Sequence, residues 1–259
     1  VRWSGINRTP LYDVPENAYR PWLPTRGFLS SIGGGIRTSK SSVYPYSISP
    51  EDARLASITT KLTSSLLGSF ILNNEDQAQG FDQLQITSEI REYLKLPFAP
   101  NHVLALRAAG GASFGDRLKY GSFRLGGNYG ESGYYALPDE YISLRGWKVA
   151  STSGDWYGLA SAEYRFPIAR IDSGYSTIPI FIKNLHGAIF VDAGTAFDDL
   201  DVAPKPLLGI GTELRLTGIV GWGVGLQARV GYAFALSSQD GAISPTSLDS
   251  LYFRFGTSF

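Results

Sequence analysis

Residues 222–234 carry the most constraining pattern in the chain, a strict alternation of apolar with small or polar side chains. One parity reads Trp222, Val224, Leu226, Ala228, Val230, Tyr232 and Phe234. The other reads Gly223, Gly225, Gln227, Arg229, Gly231 and Ala233. A period of two is typical of a β-strand with two unlike faces, whereas helix faces repeat every 3.6 residues or so. At about 3.3 Å per residue and a tilt of about 40°, such a strand crosses an apolar band about 25 Å tall.

The same alternation recurs along the chain and predicts an all-β fold. It is clear in residues 84–94, 208–217 and 251–259. Weaker versions predict strands at 28–38, 54–64, 66–72, 102–112, 158–166 and 186–195. Clusters of Gly, Pro, Asn, Asp and Ser separate these segments, which is typical of turns. Together they predict an antiparallel transmembrane β-barrel, with about 10–12 strands visible in this chain.

A soluble β-sandwich is an alternative at this point, because its core and solvent faces produce the same alternation. Strand length favours the membrane, since segments of about ten residues or more exceed the five or six usual in soluble sheets. No stretch of sequence approaches the roughly 18–20 consecutive apolar residues of a transmembrane helix. The mean hydropathy of −0.05 is compatible with a membrane barrel, whose polar inner face offsets its apolar outer face.

Composition excludes several kinds of function. The 23 basic and 23 acidic side chains cancel, whereas a nucleic-acid partner would favour a basic excess. The chain has no cysteine and only two histidines, His102 and His186, which argues against thiolate chemistry and against a multi-histidine metal site. No nucleophile motif or phosphate-binding loop is complete. We therefore expect no enzyme activity, no catalytic residue, no metal and no cofactor.

Residues 123–157 interrupt the rhythm of strands. This segment is long, rich in Gly and Tyr, and shows no convincing strand pattern. Loops of this length are uncommon in compact domains unless they have a function. We therefore predict a strand-free functional loop here.

Three motifs follow in order within and after this loop. Leu144-Arg145-Gly146-Trp147 comes first, then residues 159–168 (LASAEYRFPI), then residues 188–194 (AIFVDAG). This ordered set resembles the C-terminal barrel of the BamA/TamA/FhaC superfamily, also called the bacterial surface antigen family. The resemblance implies a 16-stranded outer-membrane barrel, of which residues 1–259 would form the C-terminal part.

The resemblance also implies roles for individual residues. In that superfamily a long extracellular loop folds back into the lumen, and here this would be 123–157. Its tip would be Leu144, Arg145, Gly146 and Trp147, where Trp147 departs from the usual Phe or Tyr. Arg145 would contact two inward-facing carboxylates from the next strands, Glu163 and Asp192. The terminal Phe259 would match the aromatic signal that assembly machinery recognises.

Upstream motifs narrow the resemblance to a subgroup. Residues 46–54 (YSISPEDAR), 93–97 (YLKLP) and 102–107 (HVLALR) resemble barrels that follow an N-terminal TolB-like β-propeller. The implied function is assistance in inserting or exporting proteins, or lipid, at the outer membrane of a Gram-negative-type envelope. The implied partners are outer-membrane lipid and either other envelope proteins or a client polypeptide, with no nucleic acid. A passive membrane anchor or structural subunit of a larger envelope complex is the alternative.

Overall fold

The alternating segments form β-strands in the structure, a computed structural model. It describes residues 2–8, 26–42, 44, 47–72, 77–118, 121–128, 141–174, 177–199, 205–221, 223–236 and 251–257. Within these ranges the strands are β1 (Arg2–Arg8), β2 (Gly27–Ser42), β3 (Asp52–Thr63), β4 (Phe70–Leu72), β5 (Ala78–Gly80), β6 (Gln83–Lys95), β7 (Val103–Gly115), β8 (Phe123–Leu125), β9 (Tyr141–Ile142), β10 (Thr152–Gly154), β11 (Trp156–Gly174), β12 (Ile180–Phe197), β13 (Leu207–Val220), β14 (Val224–Ala235) and β15 (Leu251–Thr257). A 3-10 turn spans Ser65–Leu67. No helix in the described ranges is long and apolar enough to cross a membrane.

Twelve strands form one large antiparallel sheet. Its order is β15-β14-β13-β12-β11-β7-β6-β3-β2-β4-β5, with β1 paired to the other side of β2. Successive long strands are neighbours throughout the described chain, so the sheet is a meander, with β4 and β5 inserted between β3 and β6 and a longer insertion between β7 and β11. Among the described residues, no pairing joins β15 to the opposite edge of the sheet. The predicted all-β antiparallel architecture is confirmed.

The polarity of the two faces of the sheet is the reverse of that in a soluble protein. Its outer face carries large apolar side chains that remain exposed, among them Phe253 at 63% and Phe255 at 75%. Its inner face buries charged groups instead, with Glu213 and Arg215 each only 2% exposed. Register explains the separation, since outward Val230 lies opposite Phe253 while inward Gly231 lies opposite Tyr252. An apolar exterior around a polar interior is the arrangement of a membrane barrel, and it contradicts the soluble sandwich.

The predicted strands differ from the observed ones mainly in extent. The strand predicted at 158–166 runs from Trp156 to Gly174, and the one at 186–195 runs from Ile180 to Phe197. The strand predicted at 66–72 is wrong in its first half, which forms the 3-10 turn before β4. The short edge strand β1 was not predicted, because its alternation of Trp3, Gly5 and Asn7 lacks an apolar face.

The prediction of a strand-free segment at 123–157 is wrong. The described part of this segment contains β8, β9 and β10, which form a separate three-stranded sheet. Strands of two or three residues are too short to show a period of two, so the sequence pattern cannot reveal them. The segment is therefore a small folded unit rather than an irregular loop.

Candidate functional site

The small sheet of β8–β10 rests on the inner face of the large one through an apolar cluster. The inward segment, residues 123–157, contributes Phe123, Leu125, Ile142, Leu144 and Trp147 to this cluster. The large sheet, which forms the wall, contributes Leu159, Ala196 and Leu207. Leu125, Leu144 and Leu207 are completely buried. Burying such side chains stabilises the contact by about 1.5–3 kcal/mol each. This apolar contact holds the segment against β11, β12 and β13.

Arg145 lies between two members of this cluster, Leu144 and Trp147, and reaches both predicted carboxylates. Its Nε and Nη2 atoms donate to the two oxygens of Asp192 over 2.6 and 2.7 Å, a bidentate pair. Its Nη1 atom donates to Oε2 of Glu163 over 2.8 Å. Planar guanidinium suits this forked geometry, which a lysine ammonium cannot reproduce. The structure thus brings Arg145, Glu163 and Asp192 together, while their functional role stays a prediction.

Glu213 is a third carboxylate at this site, which the sequence reasoning did not assign. Nη1 of Arg145 lies 3.2 Å from its Oε1 atom, and the Tyr252 hydroxyl donates to the same oxygen. Arg215 joins Glu213 to Glu163, with Nη2 2.7 Å from Oε1 of Glu163. A signal for Glu213 was present, because it shares the polar parity of 208–217 with Arg215.

Backbone proximity explains two glycines at the site. Gly146 has φ of 89°, a left-handed conformation, and a Cβ there would lie 2.9 Å from the backbone of Phe234 on β14. Gly209 on β13 allows the carbonyl of Arg145 to approach, since a Cβ there would lie 2.0 Å from that oxygen. The tip therefore lies directly against β13 and β14. Gly209 was missed by sequence reasoning because glycines are frequent on the inner parity of the whole region.

Aromatic side chains complete the seat of the loop tip. The guanidinium carbon of Arg145 lies 3.4 Å from the ring centroid of Phe190, an inward residue of β12. Cation–π contact adds to the ion pairs in a site from which water is largely excluded. The indole Nε1 of Trp147 donates to the Leu208 carbonyl over 3.0 Å. A phenylalanine at this position could not make this hydrogen bond to the wall.

Breaking these pairs is costly because the charges are buried. Arg145, Glu163 and Asp192 are each less than a tenth exposed. Removing one member leaves its partners charged without compensation, at about 3–5 kcal/mol. The carboxylates of the cluster are all paired with arginines, so the cluster can hold the loop tip against the strands of the large sheet. No metal-binding group of acidic, histidine or cysteine side chains occurs among the described residues.

Some predicted features cannot be placed. Phe259, the predicted assembly signal, lies outside the described residues, as do Trp222 at the start of the alternating segment and residues 129–140 within the inward segment. Residues 144–147 and both predicted carboxylates are described in full.

Comparison with solved structures identifies a related fold. The chain is similar to the crystal structure of BamA from Haemophilus ducreyi lacking POTRA domains 1–3, with a TM-score of 0.54 and 16% identity. The match covers 90% of this chain and 43% of that one, so the chain spans less than half of the BamA structure. No protein-family model and no curated protein sequence matches the chain. The fold is therefore that of a BamA-like barrel.

Proposed function

We propose that this chain is the outer-membrane barrel domain of a BamA-like protein that assists insertion or export of proteins, or of lipid. The observation that carries the proposal is the sheet of reversed polarity, with an inward segment held by a buried ion cluster. A wall that exposes Phe253 and Phe255 while burying Glu213 and Arg215 is suited to lipid outside and a polar interior inside. The proposed location is the outer membrane of a Gram-negative-type envelope.

The proposed mechanism is mechanical rather than catalytic. In the superfamily that the sequence resembles, a weakly paired seam beside the last strand opens towards the membrane. The corresponding strand here is β15, which has one neighbour, β14, among the described strands. The Arg145 cluster ties the inward segment to β11, β12 and β13, so it would keep that part of the wall rigid while the seam opens.

The finer features of the proposal come from the sequence resemblance. An N-terminal TolB-like β-propeller would precede this barrel in the full protein. Outer-membrane lipid and either a client polypeptide or other envelope proteins would be the partners, and no enzyme activity is proposed.

The proposal is tested on Arg145. Full-length protein reconstituted into liposomes is assayed for membrane insertion of a radiolabelled small outer-membrane β-barrel. Arg145→Ala should abolish the stimulation of insertion, and Arg145→Lys should also reduce it, because lysine keeps the charge but not the forked bonds. The matched control is Arg54→Ala, which removes an exposed arginine paired with Glu92 on the outer face. Full activity of both Arg145 variants would contradict the assigned role.

The same experiment separates the alternative of a passive anchor. An anchor would give no stimulation by the wild-type protein at all, while still folding and inserting itself. In that case pull-down of partner proteins, with and without Arg145→Ala, would report whether the barrel holds a larger complex together.

A further inference from the structure

Three arginines lie side by side on the inner face of the last three strands. Arg215 on β13 is directly opposite Arg229 on β14, and Arg229 is directly opposite Arg254 on β15. Residues opposite each other in an antiparallel pair have Cβ atoms about 4.5–5.5 Å apart, and like charges there are destabilising. Such a row needs negative charge nearby to be stable.

The carboxylates of the neighbouring cluster do not supply enough of it. Three carboxylates, Glu163, Asp192 and Glu213, face five inward arginines, which are Arg145, Arg165, Arg215, Arg229 and Arg254. The ion pairs of these carboxylates go to Arg145, Arg165 and Arg215. Five cations against three anions leave an excess of two positive charges.

The excess resides on Arg229 and Arg254. Within the described part of the chain, neither forms an ion pair with a carboxylate. Nε of Arg229 donates to the side-chain oxygen of Gln227 over 2.7 Å, and Nε of Arg254 donates to the Asn128 carbonyl over 3.0 Å. Nη2 of Arg254 is buried and has no hydrogen-bond partner. A buried guanidinium nitrogen without a partner is costly, and Nη2 of Arg254 leaves a donor available to a ligand.

We propose that Arg229 and Arg254 form an inward-facing binding site for a phosphate-type dianion, either free or part of a lipid headgroup. Guanidinium forks match phosphate oxygens bidentately. A dianion neutralises both excess charges, whereas a single carboxylate leaves one. An anion bridging these side chains would also link β14 to β15 and so strengthen the pairing of the last strand. The site is independent of the proposed insertion function.

The proposal is tested by isothermal titration calorimetry on the full chain in a phosphate-free, non-ionic detergent. Sodium phosphate is compared with sodium chloride and sodium acetate at equal ionic strength. We expect saturable binding of phosphate only. Arg229→Gln and Arg254→Gln should each weaken it about tenfold or more, because each removes charge-assisted hydrogen bonds. Arg37→Gln is the matched control. It removes an exposed arginine on β2, which lies on the same inner face of the sheet as Arg229 and Arg254, and it should leave phosphate binding unchanged.

A second arm distinguishes the source of the phosphate group. The protein is placed in lipid nanodiscs with or without phosphatidic acid, in a phosphatidylcholine background, and its unfolding by urea is followed. Stabilisation by phosphatidic acid that is lost in Arg254→Gln, without binding of inorganic phosphate, assigns the site to a lipid headgroup. Binding of inorganic phosphate assigns it to a soluble anion.

The proposal is overturned if the wild-type chain responds in neither arm, an outcome that does not depend on any variant folding. It is also overturned if acetate binds as tightly as phosphate, or if Arg37→Gln weakens binding as much as the two test variants. Should the glutamine variants fail to fold, Arg229→Lys and Arg254→Lys keep the charge but lose the fork. Undiminished phosphate binding by both lysine variants would then contradict the proposed geometry.

Discussion

Gly209→Ala tests whether the loop tip is seated against β13 as described. A Cβ at this position would lie 2.0 Å from the Arg145 carbonyl oxygen. Ordinary carbon–oxygen contacts are about 3.3 Å, so the carbonyl must retreat by about 1.3 Å. The bonds from Arg145 to Asp192, now 2.6 and 2.7 Å long, cannot follow that movement without lengthening. Overpacking of this kind costs about 1–3 kcal/mol, before any loss of the ion pairs.

The matched control is Gly158→Ala on β11, where an added Cβ meets nothing within 4 Å. Alanine there should be neutral or stabilise by about 0.4–1 kcal/mol, because it restricts the unfolded chain. The free energy of unfolding is measured in urea in detergent micelles, together with amide hydrogen exchange of residues 141–154. Gly209→Ala should lower both stability and protection. If the two variants unfold at the same urea concentration and protect these amides equally, the described seating of the tip is wrong.

Three further substitutions test other contacts. Glu213→Gln should destabilise the protein in urea by about 3–5 kcal/mol because it unbalances a buried ion cluster, whereas Glu92→Gln, in an exposed pair, should cost at most about 1 kcal/mol. Trp147→Phe keeps the ring but loses the indole hydrogen bond, so the same measurement should show a loss of about 1 kcal/mol; no change would mean that this bond contributes nothing. Hydrogen bonds from the Ser64 hydroxyl and from the backbone and hydroxyl of Ser65 lower the pKa of Asp82 below its ordinary 3.8. The stability that ionised Asp82 contributes is therefore complete above pH 3.8 and is lost as the pH falls through the lowered pKa. Hydrogen-exchange protection factors of residues 64–69, which correct for the intrinsic pH dependence of exchange, should therefore fall in acid in the wild type, and a similar fall in Asp82→Asn would refute this assignment.

Long strands could be predicted from sequence because each repeats the same two-faced pattern many times. The alternation at 222–234 correctly separated outward Val230 and Phe234 from inward Arg229 and Gly231. The end of β11 was underestimated because a register shift between Pro167 and Ala169 breaks the phase of the alternation, and the apolar residues Ala169 and Ile171 fall on the opposite parity. The backbone pairing with β12 nevertheless continues to Gly174.

The site was predictable only as far as the three motifs that carry the resemblance extend. Arg145, Glu163 and Asp192 belong to motifs that occur in a recognisable order, and parity alone shows that Glu163 points inward. The approach of Arg145 to Gly209 depends on how the inward segment packs in three dimensions, which no local pattern encodes. The short strands β8–β10 are equally invisible, since long-range pairing rather than local periodicity creates them.

The attachment of the tip has a mechanical consequence for the whole sheet. Contacts of residues 144–147 with the wall fall on β11, β12, β13 and β14. Bending these four strands apart must stretch several buried ion pairs at once, so they should behave as a stiff plate. Among the described residues, β2 and β3 carry no buried charged side chain and so no buried ion pair of this kind. Lateral pressure on the sheet should then flex the β2–β3 side first, so the stiffness of the sheet is uneven from one edge to the other.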